Sequence, residues 1–114
     1  MPDGLPEGFP RPRIPSGTEE GWHPVIAEVH AQLLRIDPKY TVDQVKEKYG
    51  KLRYYFTASK PERRTAMEVV VDEAEQRSGT ICERCGAPAP GPRGPGWLKT
   101  YCDTHYKTRR SPQL

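Results

Sequence analysis

Cys82-Glu83-Arg84-Cys85-Gly86 and Cys102-Asp103-Thr104-His105, with sixteen residues between Cys85 and Cys102, decide how this chain is read. They hold all three cysteines of the sequence and one of its three histidines. A two-residue gap lets two thiolates converge on one ion from a tight knuckle. Gly86 permits the left-handed turn that turns backbone N–H groups toward the sulfurs. Cys102 and His105 are three apart, so on a helix they share a face. Two such half-sites supply the four ligands of one tetrahedral Zn²⁺. Four protein ligands close the coordination sphere and leave no place for water or substrate, so the expected zinc is structural. Three thiolates around Zn²⁺ leave one negative charge, which Lys99, Lys107, Arg109 and Arg110 stand close enough in sequence to offset. Chance cysteines, or a disulfide with a spare thiol, are the weaker readings, the second because no secretory signal precedes them. An open three-cysteine catalytic site would call for the His-x-Glu signature of zinc deaminases, which the sequence lacks.

Between the half-sites, Ala87 to Gly96 is rich in Pro and Gly and reads as a loop, and Trp97 to Tyr101 as a strand delivering Cys102. A knuckle, a hairpin and a helix bearing the second ligand pair resemble a treble-clef zinc finger over residues 81–110. That resemblance specifies metal better than function. The HNH endonucleases within it imply a general-base histidine on the finger's hairpin, and Trp97–Tyr101 contains none. A RING-type ligase implies eight ligands, and four are available.

Upstream, Trp22 opens the folded part, and Pro24 suits a first helical turn. Val25, Ile26, Val29, Leu33 and Ile36 recur on one helical face until Asp37-Pro38 ends the helix. His23 and His30 lie near one stripe of that helix and read as surface residues. Residues 40–57 read as a β-hairpin turning at Gly50. Leu52, Tyr54 and Phe56 alternate with Arg53, Tyr55 and Thr57, and Val45 shares a face with Tyr49. The Glu and Lys content of Val42–Tyr49 also suits a short helix. Ser59-x-x-Glu62 reads as a capping box, with Pro61 in the first turn. Ala66, Val70 and Ala74, flanked by Met67, Val69 and Val71, form the expected buried stripe of the next helix, with Gly79 as a left-handed stop. The expected fold class is α+β. It comprises a Pro/Gly-rich extended or disordered arm (1–20), a helix–hairpin–helix core (21–78), a zinc finger (79–110) and a tail (111–114).

Composition bounds the rest. Of 114 residues, 34% are hydrophobic, and 13 Pro with 10 Gly make up about a fifth of the chain. A core this small is marginal without a staple. No apolar run approaches the ~20 residues of a membrane span, and Met1-Pro2-Asp3-Gly4 opens no secretory signal, so a cytoplasmic protein is expected. The net charge of +3 is modest but segregated. Residues 38–60 and 79–114 each carry six basic against two acidic side chains, and residues 61–78 between them carry three against five.

Gly21-Trp22-His23-Pro24-Val25, Gln44 to Tyr55, Cys82 to Gly86 and Gly96 to His105 are together similar to a group of small bacterial and bacteriophage proteins. The resemblance implies a bacterial cytoplasmic setting and brings no activity with it. Two functions fit the residues, neither of them enzymatic. Lys46, Lys48, Lys51, Arg53 and Tyr55 would put cations and a stackable ring on one strand face, with Lys99, Lys107, Arg109 and Arg110 beside the finger. That pattern suits phosphate neutralisation and base stacking on nucleic acid. The acidic segment 61–78 and the proline-rich arm suit instead a module that grips a larger host or bacterial protein. No small-molecule substrate is evident.

Overall fold

The computed structural model describes residues 18–96 and 98–108. A short 3-10 turn at Glu20–Trp22 leads into helix α1, His23–Ile36. Strands β1 (Thr41–Lys48) and β2 (Lys51–Thr57) form an antiparallel hairpin. A second 3-10 turn, Pro61–Arg63, precedes helix α2, Arg64–Ser78. Helix α3, Asp103–Thr108, closes the described chain. The α+β order of helix, hairpin, helix and Cys/His segment is the one the sequence pattern predicts. The helical alternative for Val42–Tyr49 is not adopted.

Val25, Ile26, Val29 and Leu33 of α1 meet Val42, Val45, Leu52 and Tyr54 of the hairpin and Met67, Val71 and Ala74 of α2 in one apolar cluster. Pro24 occupies the first turn of α1, where its missing N–H costs no bond. In the hairpin, Val45 pairs with Tyr54 and Lys46 with Arg53, so alternate residues face the core and solvent. Tyr49 and Gly50 form the two-residue turn, both at positive φ (55° and 80°), the twist that matches the flanking strands. Tyr49 therefore does not share the inward face of Val45; its ring is 65% exposed.

Several local expectations give way to longer-range bonds. The buried stripe of α2 is Met67, Val71, Ala74 and Ser78. Ala74 is buried as expected and Val70 packs at its margin, but Met67 and Val71 take the places expected of Ala66 and Val70, and Ala66 and Val69 face solvent. The shift lets Ser78 Oγ accept the Leu52 N–H (2.9 Å) and Glu75 Oε2 the Tyr54 N–H (2.9 Å). Helix α2 thus satisfies amides on the free edge of β2, which would otherwise be open to pairing. Gly79 closes α2 in right-handed geometry (φ −69°), with Lys51 where a Cβ would point. The capping box does not form: no side chain caps Pro61–Arg63, because Ser59 is bound to Asp37. His23 is buried rather than on the surface, and His30 Nδ1 lies 2.6 Å from Tyr40 Oη, which in turn meets Tyr54 Oη at 2.7 Å. Burial holds His30 below its ordinary pKa and pushes Tyr40 up to about 12.

Asp37 does more than end α1. Its enclosed carboxylate accepts the Ser59 N–H (2.6 Å), the Ser59 hydroxyl and the Lys39 N–H (3.2 Å), and Arg63 Nη1 lies at 3.3 Å. The Ser59 hydroxyl, outweighing the cost of burial together with the N–H groups and Arg63, lowers its pKa. A carboxyl with a lowered folded-state pKa stabilises the fold fully above its unfolded value, and loses that contribution as pH falls through the folded value. Asp37→Asn should therefore lower Tm at neutral pH, and the gap to the wild type should close as pH drops below about 4. Thermal melts of both proteins from pH 7 to pH 2 check this; a gap that stays constant would remove Asp37's ionisation from the account.

Candidate metal centre

The knuckle is built by backbone first. Cys82 N–H donates to the Ala87 carbonyl (2.7 Å), Gly86 N–H donates back to the Cys82 carbonyl (2.8 Å), and Gly86 sits at φ 84°. A single bridge joins Ile81 and Pro88 at its base, and another joins Arg93 and Lys99. The expected strand leading to Cys102 is reduced to that second bridge, and Trp97 lies outside the described residues. Tyr106 N–H donates to the Cys102 carbonyl (2.8 Å), winding α3 so that His105 comes round onto the Cys102 face.

These turns bring Cys82, Cys85, Cys102 and His105 together, each ligand atom within 4.8 Å of the others. Zn–S bonds of about 2.3 Å and Zn–N bonds of about 2.05 Å at tetrahedral angles place S···S near 3.8 Å and S···N near 3.5 Å. Cys85 Sγ and Cys102 Sγ are 3.8 Å apart, and His105 Nδ1 is 3.5 Å from Cys82 Sγ and 3.4 Å from Cys102 Sγ. A disulfide needs about 2.05 Å, so the cysteines are free thiols. The cluster fits one metal ion.

Its electrostatics agree. Burial opposes the Cys82 thiolate, but the N–H groups of Cys102, Cys85 and Arg84, with His105, outweigh it and draw the thiol down to about 6. Cys85 accepts the Ala87 N–H, yet burial and the neighbouring Cys82 and Cys102 sulfurs leave its thiol above the usual value.

A second group of residues, unmarked in the sequence reading, locks this cluster to the rest of the chain. Residues 1–17 of the expected arm lie outside the described residues, but Thr18, which the expected boundary at residue 20 leaves in that arm, is buried. Glu19 accepts from the Tyr101 hydroxyl and from Arg84 Nε (2.9 Å), and these bonds overcome burial to lower its pKa. Gly21 N–H donates to the Glu83 carbonyl (2.6 Å) and Trp22 Nε1 to the Ile81 carbonyl (2.9 Å). Thr100 Oγ1 donates to the Gly50 carbonyl of the hairpin turn. Glu83, 1% exposed, is pushed up to about 7 by burial, against the pull of Lys99. Arg93 holds α3 through Asp103 (2.9 Å) and the Tyr101 carbonyl (3.1 Å), its guanidinium 4.2 Å from the Tyr106 ring centre.

The expected contact residues fall into three sets. Lys46, Lys48, Lys51, Arg53 and Tyr55 do share the outer hairpin face; Arg53 also reaches Glu75 at 3.4 Å. Lys99 turns inward, its ammonium 3.2 Å from Glu83 and 3.5 Å from Glu47, and so does not join a surface patch. Lys107 is exposed on α3, and Arg109 and Arg110 lie outside the described residues. Among the described residues no helix is long and apolar enough to cross a membrane. Comparison with protein-family models, with curated proteins and with solved structures finds no match to this chain.

Proposed function

We propose that this chain is a non-enzymatic, zinc-stabilised module that binds nucleic acid through the outer face of its hairpin. Zinc is favoured by the donor set, three thiolates and an imidazole at tetrahedral spacings, and its four protein ligands give it a structural role. The knuckle, the Arg93–Lys99 bridge and α3 carrying His105 support a treble-clef reading of the finger.

The observation that carries the nucleic-acid reading is the hairpin face itself. Four cationic side chains and Tyr55 project from one side of two paired strands, with Tyr55 42% exposed and Lys46 Nζ 5.9 Å from its ring centre. Cations neutralise phosphates and release counterions, and the ring offers a base a stacking surface.

Each phosphate contact should contribute about 0.7–0.9 to the slope of log affinity against log salt. Lys46→Ala/Lys48→Ala should weaken binding of a labelled oligonucleotide and flatten that slope by roughly 1.5. Fluorescence anisotropy from 50 to 300 mM salt measures both. No binding at the lowest salt would reject the nucleic-acid reading in favour of a protein partner.

A further inference from the structure

Glu47, Lys48 and Tyr49 at the end of the hairpin face Gly96 and Leu98 across a cleft of about 390 Å³. That lies within the roughly 300–1,000 Å³ of small-ligand sites. Two features mark the cleft. The first is Tyr49. A two-residue turn of this kind is cheapest with Asn or Gly, yet a bulky aromatic is held there at φ 55° with its ring 65% exposed. The second is the wall opposite, where Leu98 supplies hydrocarbon and Gly96, at φ 81°, presents no side chain. Glu47 forms a half-buried wall, fixed by the Gly50 N–H (2.8 Å) and Lys99 (3.5 Å), and its remaining lone pairs can accept from a base amino group.

We infer that this cleft receives one unpaired nucleobase of a single-stranded nucleic acid, stacked on Tyr49. Charge favours that occupant: Lys48 Nζ lies 5.5 Å from the Tyr49 ring centre, and Lys46, Lys48 and Lys51 continue from the cleft along the outer face, where the flanking phosphates would run. A duplex cannot offer a base to the cleft without unstacking it, so single strands are preferred. The inference rests on the nucleic-acid reading above and narrows it to unpaired bases.

The test uses the full chain, Tyr49→Asn and Tyr49→Phe, with 12-residue single-stranded DNA, its RNA counterpart and the matched DNA duplex as probes. Asn suits the turn better than Tyr, so Tyr49→Asn should keep or raise Tm and any lost binding is not unfolding. It should weaken single-strand binding about tenfold, the range for one stacked base, and leave duplex binding unchanged, while Tyr49→Phe retains single-strand affinity. The DNA and RNA arms show which strand supplies the base. If Tyr49→Asn binds single strands as well as wild type while Lys46→Ala/Lys48→Ala weakens them, the stacking site is wrong and the nucleic-acid reading stands. If no probe binds at low salt, both fall.

Discussion

Cys85→Ser is expected to abolish metal binding and to melt the helices and hairpin along with the finger. Cys85 is exposed, so the exchange of sulfur for oxygen removes almost no packing. What it removes is one of four ligands. Structural zinc contributes about 10–16 kcal/mol in small peptides, against about 5–15 kcal/mol for the whole stability of a typical domain. The loss should not stop at residue 79, because the cluster and the core share their walls. Trp22, fully buried, donates to Ile81, and Thr100 is bonded to the hairpin turn. Elemental analysis should find one zinc per wild-type chain and none in the variant. Amide exchange should then show protection lost from residues 22–78 and 79–108 together. Retained protection in the first segment would show two units that fold independently.

Gly21→Ala should be nearly as damaging, although Gly21 supplies no ligand. A Cβ on Gly21 would sit against the Cys82 carbonyl oxygen, 2.5 Å from the Glu83 oxygen and 2.6 Å from the Glu83 carbonyl carbon. These are backbone atoms of the knuckle, with no rotamer to give way. The Gly21 N–H bond to Glu83 would open as the two segments part. Overpacking commonly costs about 1–3 kcal/mol when side chains can move, so a cost of about 3 kcal/mol or more is expected here. For a domain of this size that is a Tm drop of more than about 10 °C, readable by calorimetry. A fall of only a degree or two would mean the 18–22 segment lifts off without consequence. Chain length gives Gly21 no distinction from the other glycines; only the approach of Cys82 and Glu83 does.

The parts of the structure that were legible beforehand are those whose signal is local. The CxxC and CxxH spacings announced the metal ligands because a knuckle and a helical turn each span four residues. The alternation of Leu52 to Thr57 and the 3–4 spacing of Val25 to Leu33 announced strand and helix for the same reason. What escaped notice depends on partners far along the chain. Ser59 has a capping sequence, yet Asp37, 22 residues away, claims its hydroxyl. The stripe of α2 is set by the amides of Leu52 and Tyr54, which choose Ser78 and Glu75 over the neighbouring row. Lys99 looks like a surface cation in a basic segment, and only the fold brings Glu47 and Glu83 to it. Glu83 carried one usable hint: an acidic residue inside a ligand pair whose charge it cannot help.

The segment from Thr18 to Trp22 is made before the groups that bond to it. Glu19 meets Tyr101 across a separation of 82 residues, and Trp22 meets Ile81 across 59. At about 5–20 residues per second, Tyr101 follows Glu19 by roughly 4–16 s. Ile81 follows Trp22 by roughly 3–12 s, and for that shorter interval the indole N–H lacks its carbonyl. The nascent chain therefore carries this indole with its N–H unpaired until the knuckle segment has been made.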